Sequence, residues 1–297
     1  MSNSTTGIFY FDKRLLTFSF RKMITLVKTI MKYALITGAC SGLARAIIKS
    51  IKDDFFIFAV DINPDIFKLY EHEDSIRAFT CDITEEAKLL TVKNDIEKLT
   101  TSLDLLINFA GIVELGSLIE VPPAKFERSM CVNVIGNYHV TSAFFPLIKN
   151  GKGRIIVLSS EYGKLLGLPF HSFYTISKHA LEIYADSLRR EVKGLGIKVV
   201  TIRPGSFKTA MVDNIERQFK KLVDDTVLFK KPLSRMESMM KREIKSASKP
   251  QKIIRTFHKA IYKKNPKIAY RVHNSLKMKL LNILPPQLQD WILSHFF

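Results

Sequence analysis

Met31-Lys-Tyr-Ala-Leu-Ile-Thr37, followed by Gly38-Ala-Cys-Ser-Gly42-Leu-Ala44 and then by Arg45 to Ile51, is the stretch on which the fold turns. The first seven residues read as a short apolar strand. The glycines then turn the chain, and a helical pattern starts at Arg45. Strand, glycine turn and helix in that order form a phosphate cradle. The helix start presents unpaired N–H groups and the positive end of its dipole to a pyrophosphate. Gly38 allows the tight turn, Gly42 lets the backbone come close, and Ser41 and Leu43 sit in the same turn. Ala44 stands where a third glycine is usual. Taken alone, the turn also reads as a plain strand-to-helix connection.

Working outward, Phe55-Phe-Ile-Phe-Ala-Val60 is a second apolar strand, and it ends in Asp61, 23 residues after the first glycine. A carboxylate there accepts hydrogen bonds from both ribose hydroxyls of an adenosine and repels a 2′-phosphate. It favours NAD(H) over NADP(H). Arg45, a cation just past the turn, keeps NADP(H) open. Apolar runs at 33–37, 55–60, 104–107, 153–158 and 197–202 alternate with helical stretches. That alternation predicts an α/β fold, a Rossmann-type doubly wound parallel sheet in a single domain. Asp61, Asn108, Ser160 and Pro204 all fall just after expected strands, on the one rim where such folds bind ligands.

Tyr174-Thr-Ile-Ser-Lys178 puts a phenol and an ammonium four residues apart, on one face of a helix. A free phenol titrates near about 10. A neighbouring positive charge favours the phenolate, so the pair is a candidate acid/base. Most Tyr-x-x-x-Lys pairs are surface pairs, and this one gains weight only from its company.

The ordered motifs resemble those of the short-chain dehydrogenase/reductases across about residues 31–212. They are Thr37-Gly38-x-x-x-Gly42-x-Ala44, Cys81-Asp82-Ile83-Thr84, Asn108-Phe109-Ala110-Gly111, Val132-Asn133-Val134, Ile155 to Ser160, Tyr174-x-x-x-Lys178, and Arg203-Pro204-Gly205 with Thr209. Phe173 to Glu191 and Gly196 to Thr209 look most like the retinol and hydroxysteroid dehydrogenase branch. The resemblance implies a catalytic set of Asn133, Ser160, Tyr174 and Lys178. Tyr174 would exchange the proton with the substrate oxygen. Lys178 would lower its pKa and bind the nicotinamide ribose. Ser160 would hydrogen-bond the substrate oxygen, with Ser159 as the alternative. Asn133 would hold a helix bend. For the cofactor the resemblance implies Gly38, Ser41, Gly42, Leu43, Asp61, Asp82, Ile83, Asn108, Ala110, Gly111, Pro204, Gly205 and Thr209, joined by Tyr174 and Lys178. Three departures stand out: Ala44 for glycine, Phe109 for the more usual asparagine, and a Ser160-to-Tyr174 spacing of 14.

The net charge of +18 is uneven. Residues 1–32 hold six Lys/Arg and one acid, 33–212 hold 21 and 20, and 213–297 hold 19 and seven. A neutral body with basic ends argues against nucleic acid as its partner and suits an anionic membrane surface. Cys40, Cys81 and Cys131 form no C-x-x-C pair, so zinc and redox motifs are unsupported, and the histidines show no metal-ligand spacing. An odd cysteine count without secretory features suggests a reducing compartment. His171 and His179 flank the Tyr174 motif.

Three segments follow: a basic extension over 1–30, a dehydrogenase domain over 31–272 with a helical substrate lid at about 211–265, and an amphipathic tail over 273–297. The lid is expected as basic helices broken near Pro232 and Pro250. The tail reads as a lid, a subunit contact or an interfacial membrane helix, and no stretch of it can span a bilayer. The extension reads as a mitochondrial-type presequence or as chain upstream of the true start at Met31. The expected protein is a cytoplasmic or membrane-peripheral oxidoreductase, mitochondrial on the presequence reading. It is expected as a homodimer or homotetramer, interconverting a small-molecule alcohol and its carbonyl, with a lipophilic substrate suggested by the branch and by the apolar loop Leu165–Phe170.

Overall fold

The computed structural model describes residues 31–207, 210–246, 248 and 250–295. The expectations for residues 1–30 and for Thr209 lie outside these. Residues Tyr33–Phe297 form one compact unit.

Seven strands make one sheet in the order β3-β2-β1-β4-β5-β6-β7. In chain order, β1 (Lys32–Thr37) leads through α1 (Gly42–Ile51) to β2 (Phe55–Asp61), and α2 (Ile66–Leu69) to β3 (Ile76–Thr80). Next come α3 (Glu86–Glu97), β4 (Leu105–Asn108), α4 (Pro123–Met130) and α5 (Gly136–Gly151). β5 (Arg154–Leu158), α6 (Ser172–Glu191) and β6 (Lys198–Pro204) follow. The chain ends in α7 (Ala210–Asp225), α8 (Lys230–Ser246), α9 (Gln251–Tyr262), β7 (Ala269–Val272), α10 (Leu276–Leu281) and α11 (Pro286–Ser294). Pairing is parallel, with Thr37 opposite Asn108 and Asn108 opposite Val157. The order reverses between β1 and β4. Their carboxyl ends therefore diverge and open a crevice.

Alternation along the strands feeds two cores. Ala34, Ile36, Ile107 and Ile202 face α1 and α9, whose Ile47, Ile48, Ile253 and Phe257 are buried. Leu35, Leu106, Ile155 and Val157 face α3, α5 and α6 on the other side, against Leu89, Phe144 and Leu181. Both faces are covered, which is why the central strands read as unbroken apolar runs. Arg154, at the start of β5, donates to the Ala260 and Ile261 carbonyls at the end of α9 and to that of Lys263 just past it, and so fixes that helix to the sheet.

Several of the expectations need comment. The edge strands β3 and β7 were not among the apolar runs, because Ile76–Thr80 and Ala269–Val272 are only partly buried. Ala44 is fully buried against the sheet, so the smallest side chain with a Cβ suffices at the third glycine position. Phe109, the departure from asparagine, stacks on Phe257 with ring centroids 5.0 Å apart and fills the core. The helix break expected near Pro232 falls at Thr226–Phe229. Pro232 falls in the first turn of α8, where its missing N–H is not needed. Pro250 precedes α9 as its N-cap.

Candidate active site

A cleft of about 400 Å³ opens along the carboxyl ends of the strands. Its floor is the glycine turn. Gly38 has φ +65°, and a Cβ there would lie 2.7 Å from the Ala110 nitrogen. Only glycine fits both demands. Ser41 caps α1, its hydroxyl accepting from the Ala44 N–H at 3.3 Å. Gly38, Ser41, Gly42 and Leu43 all line the cleft. The start of α1 is thus aimed into it.

Asp61 closes β2 and lines the cleft. Its Oδ2 accepts from the Cys40 N–H at 2.8 Å and its Oδ1 from the Asn63 N–H at 2.9 Å. Both oxygens keep further acceptor capacity. Arg45, the cation that left NADP(H) open, lines a separate open groove with Lys49, Lys52 and Glu73. The Cys40 thiol is pushed up to about 11 by burial and by Asp61, so it stays protonated and unreactive near neutral pH. Asp82 lines the cleft beside Ile83, and its Oδ1 accepts from the Thr84 N–H and hydroxyl at 2.9 and 2.8 Å.

Ala110, Gly111, Pro204 and Gly205 complete the lining expected for a nucleotide, whereas Asn108 does not. Asn108 is buried beneath the rim and donates to Thr141 Oγ1 at 3.2 Å, because its side chain turns toward α5. The expectation that it lines the cleft is therefore corrected.

The acid/base cluster sits at the far end. Asn133 is fully buried in a wide π-type turn, Cys131–Ile135, that bends the chain between α4 and α5. Its Oδ1 accepts from the Ile112 N–H at 2.7 Å, and its Nδ2 donates to the Ile112 carbonyl and to Ser177 Oγ, both at 2.9 Å. It is one step behind the lining. A Cβ at Gly111 would come within 3.0 Å of Asn133 Oδ1 and 3.4 Å of Lys178 Nζ. Ser160, Tyr174 and Lys178 line the cleft directly. Ser160 and Tyr174 reach the same cleft despite their long spacing, near enough for the Ser160 hydroxyl to pull on the phenol. A short 3-10 turn at Glu161–Lys164 takes up part of the extra chain, and Phe170 bends back with φ +63°. Ser159 also lines the cleft, but its buried hydroxyl has no partner among the described residues.

Lys178 Nζ donates to the Leu158 carbonyl at 3.1 Å and lies 5.7 Å from the centre of the Tyr174 ring. Burial pulls Lys178 down to about 8, partly offset by Glu182. Burial pushes Tyr174 up to about 12; the Ser160 hydrogen bond pulls the other way, and the Glu161 carboxylate adds to the rise. The expectation that Lys178 makes the phenol acidic is corrected on this point. Burial sets the direction, upward, and the Lys178 amine is not among the groups that offset it. Behind the pair, Glu182 holds Arg203 in a buried two-pronged ion pair at 2.8 and 2.7 Å, tying α6 to the end of β6.

Sequence reasoning missed part of the wall. Val113, Ile215 and Met240 give it an apolar side, and Glu161 brings in a buried carboxylate. Glu161, directly after Ser160 at the end of an apolar strand, was a readable signal. His171 also lines the cleft, stacked on Tyr162 at 5.5 Å, and burial lowers it to about 4. His179 turns back onto the Thr175 carbonyl at 3.0 Å. Among the described residues no cluster could hold a metal ion. The cradle that a Cβ would fill, the aimed helix start and the strand-end carboxylate together fit a dinucleotide.

The comparisons agree. The protein is 29% identical over 259 residues to the uncharacterized oxidoreductase YusZ of Bacillus subtilis, across 84% of this chain and 92% of that one. It is 34% identical over 188 residues to mouse estradiol 17-beta-dehydrogenase 2, across 60% of this chain and 49% of that one. A short-chain dehydrogenase/reductase from Burkholderia phymatum, solved in complex with NAD, superposes with a TM-score of 0.68 at 20% identity, over 80% of this chain and 88% of that one. Other structures of the same fold hold NADP. With residues 32–220 matching the short chain dehydrogenase model, the chain belongs to the short-chain dehydrogenase family and is an oxidoreductase of the alcohol–carbonyl class.

Proposed function

We propose that the protein reduces a lipophilic ketone or aldehyde with NADH, Tyr174 giving the proton. The observation that carries this reading is the convergence of Ser160, Tyr174 and buried Lys178 on one cleft floored by Gly38. The nicotinamide, when bound, supplies the hydride. The chain's own residues do the rest. Ser160 donates to the carbonyl oxygen and holds it against Tyr174. As charge builds on that oxygen, the phenol hands over its proton; an alkoxide is a much stronger base than a phenolate raised to about 12. Lys178, cationic below about pH 8, stabilises the phenolate left behind. Asn133 keeps the Ile112 backbone and Ser177 in place behind them. The reverse oxidation uses the same groups, with Tyr174 taking the proton back.

NAD(H) is preferred because Asp61 faces the cleft while Arg45 faces another groove. The apolar wall of Val113, Ile215 and Met240, backed by Phe170, Phe219 and Leu233, supports a lipophilic substrate, as does the likeness to estradiol 17-beta-dehydrogenase 2. Exposed Ile135, Tyr138, Ile176 and Ile183 on α5 and α6 and the turns before them support self-association, which sedimentation would measure. The deciding experiment is a panel of sterol, retinoid, long-chain and short-chain carbonyls followed by loss of NADH or NADPH fluorescence. Turnover of an apolar carbonyl with NADH is expected. Turnover confined to small polar carbonyls, or to NADPH, would contradict the substrate or cofactor part.

A further inference from the structure

We propose that α10 and α11 form a docking face for an anionic lipid bilayer, set at the rim of the cleft. The tail is held on the body from its inner side. The Ser275 N–H donates to Glu161 Oε2 at 2.9 Å, and Asn282 Nδ2 donates to the Lys164 carbonyl at 3.2 Å. Met278, Leu281, Leu284, Ile292 and Leu293 are half-buried on that side. Its outer side is apolar as well. Leu276, Leu280 and Ile283 follow one another at helical spacing and are 75%, 63% and 72% exposed, and Trp291 on α11 is 62% exposed. Folding explains the inner set and leaves the outer one without a partner in the monomer.

Charge chooses the occupant. Between Glu243 and Asp290 the chain has eleven Lys/Arg and no Asp/Glu. Lys263, Lys264, Lys267, Arg271, Lys277 and Lys279 are all exposed. A second copy would bring the same positive field to the contact and be repelled. A nucleic acid answers the charge but has no use for a row of aliphatic side chains. An anionic bilayer answers both: the leucines, Ile283 and Trp291 enter the acyl boundary while the lysines reach the headgroups. No described helix is long and apolar enough to cross a membrane, so the contact is interfacial. Because Glu161 follows Ser160, docking here brings the cleft mouth to the lipid, a direct route for an apolar substrate. That route rests on the proposed function; the docking does not.

Flotation of the full chain with vesicles tests it. Phosphatidylcholine vesicles containing phosphatidylserine are expected to carry the protein up, pure phosphatidylcholine vesicles are not, and added salt should release it. The triple variant Leu276→Ser, Leu280→Ser, Trp291→Ser should float about tenfold less or worse, with unaltered circular dichroism and unaltered turnover of a short soluble carbonyl. Lys277→Glu with Lys279→Glu should also weaken flotation. The proposal is overturned if the wild type ignores phosphatidylserine vesicles, or if the folded triple variant floats as well as wild type. It is equally overturned if duplex DNA binds the tail and vesicles do not compete. Flotation is read without turnover, so an inactive enzyme that floats separates the two proposals.

Discussion

The rim of the sheet and the helices laid across it are built on different principles. At the rim, side chains are held by backbone N–H groups, some two residues away and some 21 residues away along the chain. Asp61 is held by Cys40 and Asn63, Asp82 by Thr84, and Asn133 by Ile112. The glycine turn is dictated by a positive φ and a 2.7 Å approach. The lid, α7 and α8, is held by a small apolar cluster, with Phe219, Leu222, Leu233, Met236 and Met240 against Val113, Leu115 and Phe170. Gln218 adds two bonds to the backbone of Val113 and Leu115, and Glu120 accepts from Thr226, Val227 and Leu228. The lesson is that the strand-end half is fixed by hydrogen bonds to the backbone and by close backbone approach. The helices over it, proposed above to face the substrate, depend on the packing of ordinary amphipathic helices.

Core truncations should separate the two halves most sharply. Phe257→Ala removes a fully buried ring stacked on Phe109 and should cost about 3–5 kcal/mol of global stability, read as a lowered urea midpoint. Leu233→Ala, equally buried but in the lid, should open the lid locally. Its expected signature is a raised KM for an apolar carbonyl and faster hydrogen exchange in α8, with a smaller loss of global stability. Equal urea midpoints would erase the distinction. Phe109→Asn, which restores the commoner family residue, removes the other ring of the same stack and adds a buried amide, so it should cost at least about 3 kcal/mol, read as a urea midpoint beside that of Phe257→Ala.

Lys178 comes next. Its folded pKa, about 8, lies below the unfolded value of about 10.4. Below pH 8 both states are protonated and the native state bears the cost of a buried ammonium. Between about 8 and 10.4 the unfolded state binds more protons, so stability rises with pH. Lys178→Met should therefore lose activity yet gain up to roughly 3 kcal/mol of stability at pH 7, the gain shrinking as pH rises through that window. A destabilised variant at pH 7 would show that the Leu158 and Tyr174 contacts outweigh burial. In the wild type, reduction should decline as pH rises through about 8, while Tyr174 stays protonated.

The cofactor contact is worth less. Asp61→Ala should lower kcat/KM with NADH roughly 10–100-fold, the loss of hydrogen bonds to a charged group, and leave NADPH much less affected. Uniform loss with both would mean that Asp61 only braces Cys40 and Asn63.

This division also explains what could be read in advance. The five central strands appear as apolar runs because both faces are covered, whereas Ile76–Thr80 and Ala269–Val272 are edges with exposed positions and leave no such trace. Gly38, Asp61, Ser160, Tyr174 and Lys178 were legible because local geometry or helix spacing puts them on one rim. Asn108 was misjudged, since position in a strand says that a residue reaches the rim but not which way its side chain turns. Tyr174's pKa was misjudged for a related reason. Spacing reveals the neighbouring amine, whereas only packing reveals how deeply the phenol is buried. Met240 and Ile215 reach the cleft through tertiary packing alone.

The account rests on Tyr174 as proton donor, and Tyr174→Phe tests it most directly. NADH binding, followed by fluorescence, should stay near wild type, while reduction of the best carbonyl in the panel should fall about 10²–10⁴-fold. A variant that binds NADH and reduces that carbonyl at the wild-type rate would contradict it.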